Sequence, residues 1–371
     1  MDKCVECGEA RYVSRSLGYV CVACIKDRWN TVYDRFYGKR NNIRDAMGLT
    51  REAPKTPGGI PCKLCVRECI MGIGESGYCG LRRNVDGRLH SLVSPDISLA
   101  HIYLDPHITN CCASYFCPGG TGAGYPDYAY RKGPEYGYYN LAYFFYGCSF
   151  TCLFCQNYSL LRPVKADKQT SIEVLDMIRS DERISCICWV GGTPEPQLPF
   201  TIKVGRLILE DIDRIVRLCY EWNGTGNWAL VKRAGELALE SGGIIKFDLK
   251  TYSEELSIAL SGISNKRSYE NFERLFHKYY NDRSSLPLLT ATTLLVPGYV
   301  GSEEVEGISR FLAELDKGIP YSLLIFHPDH YMRDLPITPV KQVKKSYEVA
   351  KKYLKNVNIG NKHLLALAPD E

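Results

Sequence analysis

From about residue 140 onward the chain alternates short apolar runs with longer amphipathic stretches, and this rhythm constrains the fold more than any other feature. The pattern predicts strands at 141–146, 186–190, 215–221, 244–249, 289–296, 321–326 and 356–367. It predicts helices at 197–210, 228–240, 269–280, 303–316 and 339–354. Such alternation specifies a parallel sheet, because each parallel neighbour needs a crossover long enough to hold a helix. The length suits an α/β fold, a partial (β/α) barrel of about six or seven units. Barrel chemistry collects where strands end. Here the first strand runs into Cys148 and the next five into GGTPEP, EWNG, DLK, PGY and HPDH.

The 17 cysteines among 371 residues are the second constraint. In a reducing compartment, spaced thiols serve metals rather than disulfides. A net charge of +4, with 24% charged and 45% hydrophobic residues, describes an ordinary soluble chain and argues for neither a nucleic-acid nor a membrane partner. No apolar run reaches spanning length and MDKCVECGEA is unlike a signal peptide, so a cytoplasmic location is expected. Texture divides the chain into a tetracysteine region (1–50), a cysteine- and glycine-rich module with a lid loop (51–140), a barrel core (141–300) and a C-terminal segment (301–371). Residues 1–90 have few long apolar runs, so metals are expected to replace a core there. Residues 91–140 read as loop.

Cys148-x3-Cys152-x2-Cys155 places three thiols on one short loop after a strand. Three thiolates on a four-iron, four-sulfur (4Fe-4S) cluster leave one iron without a protein ligand. A zinc knuckle with a borrowed fourth ligand is the alternative. Cys4, Cys7, Cys21 and Cys24 have the spacing of a tetrathiolate zinc or iron site. Cys62, Cys65, Cys69 and Cys79 offer a second set, for a mononuclear ion first and an auxiliary cluster second. Cys111, Cys112 and Cys117 are spaced poorly for one site and sit on the loop leading into the barrel, which is expected to fold over the cluster mouth. Tyr115 on that loop is a candidate cap for the open iron, with simple packing of a tyrosine lid as its alternative. Cys186, Cys188 and Cys219, in apolar runs, read as small core residues.

YGCSFTCLFCQN and VGGTPEP, in that order, resemble the radical S-adenosylmethionine (SAM) superfamily. The resemblance implies SAM on the open iron, a backbone cradle at Gly191, Gly192, Thr193 and Glu195, and ribose and carboxylate contacts from Glu221, Asn223, Asp248 and Lys250. The whole-chain pattern, adding CCASYFC and LLVPGYV, is most similar to the methanogenesis marker protein 10 family. That resemblance implies a cobalamin-dependent methyltransferase. Its SAM would both methylate cobalamin and supply the radical that opens an arginine δ-carbon in the alpha subunit of methyl-coenzyme M reductase, with an external electron donor. No Asp-x-His-x-x-Gly string is present, so cobalamin would lie over the barrel mouth against the segment from about residue 300. His327, His330 and Tyr331 are the candidates for that pocket. A cobalamin-independent activating enzyme that makes a glycyl or other protein radical is the alternative.

Overall fold

A computed structural model describes residues 2–163, 166–283 and 285–370. The chain opens with the hairpin β1 (Asp2–Lys3)–β2 (Ala10–Arg11) and the helices α1 (Val22–Asp27) and α2 (Trp29–Ala46). Two small antiparallel ladders follow, β3 (Ile60–Pro61)–β4 (Ile70–Met71) and β5 (Arg82–Val85)–β6 (Arg88–Ser91). Next come β7 (Ile97–Pro106), the short α3 (Pro118–Thr121), β8 (Tyr139–Phe145), β9 (Lys168–Thr170) and α4 (Ser171–Ser180). The alternating part runs β10 (Ile184–Gly191), α5 (Leu198–Asp211), β11 (Arg217–Trp222), α6 (Trp228–Glu240) and β12 (Ile245–Asp248). It continues with α7 (Glu254–Ser261), α8 (Lys266–Tyr279), β13 (Leu289–Leu295), α9 (Ser302–Leu315), β14 (Tyr321–Ile325), α10 (Val340–Tyr353) and β15 (Val357–Gly360).

One sheet has the order β15-β14-β13-β12-β11-β10-β8-β7-β9. From β8 to β15 its neighbours are parallel and follow chain order, whereas β7 pairs antiparallel with β8 and β9 antiparallel with β7. One face is apolar: Tyr143, Trp189, Tyr220, Phe247, Ala291 and Leu323 pack in one core with Val174 of α4, Phe200 of α5, Val231 of α6, Phe272 of α8, Ile308 of α9 and Val343 of α10. Crossover helices gathered on a single face, over strands in chain order, give the winding of a barrel rather than of a doubly wound sheet. Local chemistry sets the boundaries. Thr170 and Glu173 close a reciprocal capping box on α4, and Gly262, in the left-handed region, ends α7.

Three expectations need correction. Residues 356–367 are not one strand: β15 stops at Gly360, Asn361 turns left-handed at φ 57°, and Lys362–Leu367 form a 3-10 turn. Residues 91–140 are not all loop, because β7 is ten residues long and pairs along the whole of β8. Residues 1–50 do have a core. Leu17, Ile25, Val32 and Phe36 pack with Phe150, Leu153 and Phe154 of the Cys148–Cys155 loop and with Val296 and Phe326 at strand ends. This N-terminal region covers the rim. Among the described residues, no helix is long and apolar enough to cross a membrane.

Candidate functional site

The strand ends build the site. Beyond β8 the chain turns at Gly147 and presents Cys148 and Cys152, both buried, and Cys155, half-buried. Cys148 Sγ accepts from Phe150 N at 3.3 Å and from Asn223 Nδ2 at 3.6 Å, and lies 3.2 Å from Gly192 O. Burial pushes all three thiols up, Cys155 to about 12. Thiols so buried ionise only with a compensating charge, which cluster iron supplies. Lys250 stands in electrostatic contact with Cys152 and Cys148. N–H donors, a nearby cation and apolar walls of Phe150, Leu153 and Phe154 fit a cluster ligand set.

The residues expected around SAM divide into two groups. Gly191 has φ 105°, and a Cβ there would lie 2.5 Å from Phe145 N. A Cβ on Gly192 would meet Gly147 O at 2.7 Å, so only glycines let this turn lie against the cysteine loop. Asn223 and the Asp248–Lys250 ion pair complete the ring around the cradle. Thr193 and Glu195 bond to each other, and Glu195 Oε1 accepts from Thr225 N at 3.0 Å. Glu195 thus ties the second strand-end loop to the third, and burial pushes it up to about 7. Glu221 turns the other way, into the space inside the sheet, where Lys246 Nζ stands 3.5 Å from it.

Three arginines that the sequence reading passed over stand behind the cysteine loop. Arg44 donates to Thr151 Oγ1 at 2.6 Å and to Tyr78 O at 2.5 Å, and Arg67 donates to Ser149 O at 2.6 Å and Gly262 O at 2.9 Å. Both guanidiniums stack on the Tyr78 ring, at 3.4 and 3.6 Å from its centroid. Arg40 donates to Ala259 O. The N-terminal regions therefore dock onto the loop through buried cations.

The two tetracysteine sets differ. Cys4, Cys7, Cys21 and Cys24 bring their sulfurs within 4.8 Å of one another, with Cys4–Cys24 and Cys7–Cys21 at 3.9 Å. A tetrahedral ion with metal–sulfur bonds of about 2.3 Å sets its thiolates about 3.8 Å apart, so this set has the geometry of one zinc or iron ion. Cys62, Cys65, Cys69 and Cys79 line one small cavity of about 10 Å³ without gathering that closely.

The largest correction concerns the interior of the sheet. Its inner face carries Ala142 and Phe144 of β8, Cys186, Cys188 and Val190 of β10, Cys219 and Glu221 of β11 and Lys246 of β12, around a chamber of about 320 Å³. Cys186, Cys188 and Cys219 are therefore chamber residues, not core fillers. The loop bearing Cys111 and Cys117 lines the same chamber instead of roofing the cluster. Tyr115 donates to Asn356 O at 3.4 Å, just before β15 begins, so it sits by strand starts while Cys148 sits at a strand end. His327 is exposed, whereas His330 stacks on Tyr158 at 4.7 Å and Tyr331 N donates to Leu153 O at 3.0 Å. Burial lowers His330 to about 4. His330 and Tyr331 line a cavity of about 640 Å³ beside Arg15, Lys39 and Arg333.

A parallel sheet in chain order, ending in a three-cysteine loop ringed by glycine, asparagine and lysine, is a radical SAM-like fold. Residues 142–312, a little under half of the chain, match the radical SAM superfamily. A glycyl-radical enzyme activating enzyme, so named, of Methanocaldococcus jannaschii is 26% identical over 216 residues, 57% of this chain and 77% of that protein. The isethionate sulfite-lyase activating enzyme of Oleidesulfovibrio alaskensis is 29% identical over 43% of this chain and 49% of its own length. SuiB of Streptococcus suis, in a structure bound to S-adenosylmethionine, is 13% identical with a TM-score of 0.43, over 57% of this chain and 47% of that one. The chain thus spans about half the length of the last two.

Proposed function

We propose that this chain is a cobalamin-independent radical SAM enzyme of the activating type, removing a hydrogen atom from a protein partner. The observation that carries the reading is the convergence of Cys148 with Gly192 O at 3.2 Å and Asn223 Nδ2 at 3.6 Å, beside the Lys250 cation. Relatives named as activating enzymes support the class of substrate. A 4Fe-4S cluster bound by Cys148, Cys152 and Cys155, with SAM on its open iron, supplies one electron and a carbon radical when present.

The protein's own residues provide position and electrostatics. Burial opposes the Lys250 ammonium, but the Asp248 carboxylate beside it outweighs that and raises its pKa. It is therefore a ready partner for the SAM carboxylate. Gly191 and Gly192 expose backbone, and Asn223 offers an amide to the cysteine sulfur or a ribose hydroxyl. The N-terminal core on the rim keeps water from the loop. The inner chamber receives the segment that is to lose hydrogen, and an external donor supplies the electron.

The test is anaerobic incubation of the full chain with SAM, a reductant and candidate partner proteins, with and without cobalamin. The expected result is 5′-deoxyadenosine, a protein radical signal by electron paramagnetic resonance, no need for cobalamin, and loss of all turnover in Cys152→Ala. Cobalamin-dependent gain of one methyl group on an arginine of methyl-coenzyme M reductase would overturn this reading in favour of the methyltransferase. Absence of deoxyadenosine from the clustered enzyme would overturn both.

A further inference from the structure

The chamber inside the sheet holds a group of donors that hydrogen abstraction does not use. Cys111 Sγ, Cys112 Sγ and a carboxylate oxygen of Glu221 all lie within 4.8 Å of one another. The two thiols come from the loop and the carboxylate from β11, elements far apart in sequence. Their meeting is fixed by independent contacts: Ser322 Oγ of β14 donates to Cys112 O at 2.8 Å, Ala113 N donates to Cys111 Sγ at 3.4 Å, and β11 is held between β10 and β12.

Charge supplies the second argument. Lys246, 2% exposed, places its Nζ 3.2 Å from Cys111 Sγ, 3.0 Å from Cys188 Sγ and 3.5 Å from Glu221. With both thiols ionised as metal ligands, two thiolates and a carboxylate beside one ammonium would carry two net negative charges for the ion to match. Buried charge persists only when it is matched, and a divalent cation brings the set to neutrality. Cys111 and Glu221 line a chamber of about 320 Å³, and a set of three protein donors, with Cys112 as the third, matches sites that keep a fourth position for a substrate group or water.

We propose that Cys111, Cys112 and Glu221 bind one divalent thiophilic cation, zinc or ferrous iron, with Lys246 as its buried counter-charge and its open position toward the chamber. The ion is separate from the cluster at Cys148, Cys152 and Cys155 and from any ion at Cys4, Cys7, Cys21 and Cys24. In a bound partner its open position takes a carboxylate or thiolate, anchoring the segment presented for hydrogen removal.

The experiment titrates the chelator-stripped full chain under reducing, anaerobic conditions with zinc and, separately, ferrous iron, against a chromophoric chelator. Cys111→Ser/Cys112→Ser is expected to bind one equivalent less than the parent, and Cys4→Ser/Cys7→Ser to lose a different equivalent, with the losses adding when combined. Zinc tighter than iron, or the reverse, identifies the ion. A folded Cys111→Ser/Cys112→Ser variant with parental stoichiometry for both metals overturns the proposal. Should that pair fail to fold, Glu221→Gln decides: affinity at this site weakened by about tenfold or more is expected, and unchanged affinity overturns it.

Discussion

Glu135 and Arg217 offer the sharpest test of how the chamber is held. Both side chains are buried, 0% and 2% exposed, and they meet in a two-pronged pair, Nη1–Oε1 at 2.9 Å and Nη2–Oε2 at 2.6 Å. Arg217 also donates to Ser185 Oγ at 2.8 Å and Tyr128 O at 2.9 Å, while Glu135 accepts from Tyr130 N at 3.0 Å and Ser185 Oγ at 2.8 Å. The pair locks the segment that carries the chamber loop onto β10 and β11. Glu135→Gln leaves the guanidinium buried without its counter-charge, a loss of about 3–5 kcal/mol. Arg217→Met strands the carboxylate and costs about as much. The double variant is expected to lose little more than either single, since the desolvation penalty then disappears for both. Urea unfolding followed through the buried Trp189 and Trp222 reads the sheet directly. The carboxyl adds a pH signature. Burial pushes Glu135 up, but Arg217 outweighs it and holds the group below its ordinary value of 4.5. A lowered acid stabilises the fold above that value, and the stabilisation fades as pH falls through the lowered pKa. The parent should therefore lose stability below about pH 4.5 more steeply than Glu135→Gln. Single losses under about 1 kcal/mol, or strictly additive losses, would refute the reasoning.

Gly192→Ala would place a methyl group 2.7 Å from Gly147 O, displacing the turn beside Cys148. SAM affinity by equilibrium dialysis should fall by about tenfold or more with the circular dichroism unchanged. Glu195, raised by burial to about 7 from its ordinary 4.5, keeps its proton in the folded chain where the unfolded chain has lost it. Thermal stability should then decline as pH rises from about 4.5 to about 7, and Glu195→Gln should flatten that decline. Arg44→Met removes a buried cation bonded to Thr151, inside the cysteine loop. The cluster's reduction potential, followed by paramagnetic resonance during a redox titration, should move to more negative values, and an unchanged potential would show that the guanidinium only packs.

Much of the barrel was legible because its periodicity is strong and its helices are amphipathic. The helix at 228–240 matches α6, and those at 197–210, 303–316 and 339–354 fall one residue from α5, α9 and α10. The N-terminal elements were not. Helix α2 buries Val32, Phe36 and Ile43, but it also buries Arg40 and Arg44, which read as solvated surface until a tyrosine ring and backbone carbonyls receive them. Strand β7 was hidden because half of its residues are exposed and its pairing is with a strand some forty residues on, which no local pattern reports. The tetracysteine set at Cys4 was readable from spacing alone, because a tetrahedral ion needs little more than two knuckles.

The chamber thiols lay between these cases. Cys186 and Cys188 sit in ISCICWVG, and an apolar run of this kind suggests a strand buried on both faces. Strand geometry says more: residues two apart share a face, so Ile187 and Trp189 must point opposite to Cys186 and Cys188. Large apolar groups claim the helix-covered side. That leaves the thiols facing inward, and the same parity carries Cys219, Glu221 and Lys246 to the inner face. Parity within each strand was thus available from the sequence. What it could not supply was the partner, since Cys111 reaches the chamber from a distant loop whose following segment is anchored by the Glu135–Arg217 pair. Assigning cysteines by the apolarity of their neighbours therefore fails inside a barrel. There the inner face is where a protein keeps polar and reactive groups, and alternation is the better guide.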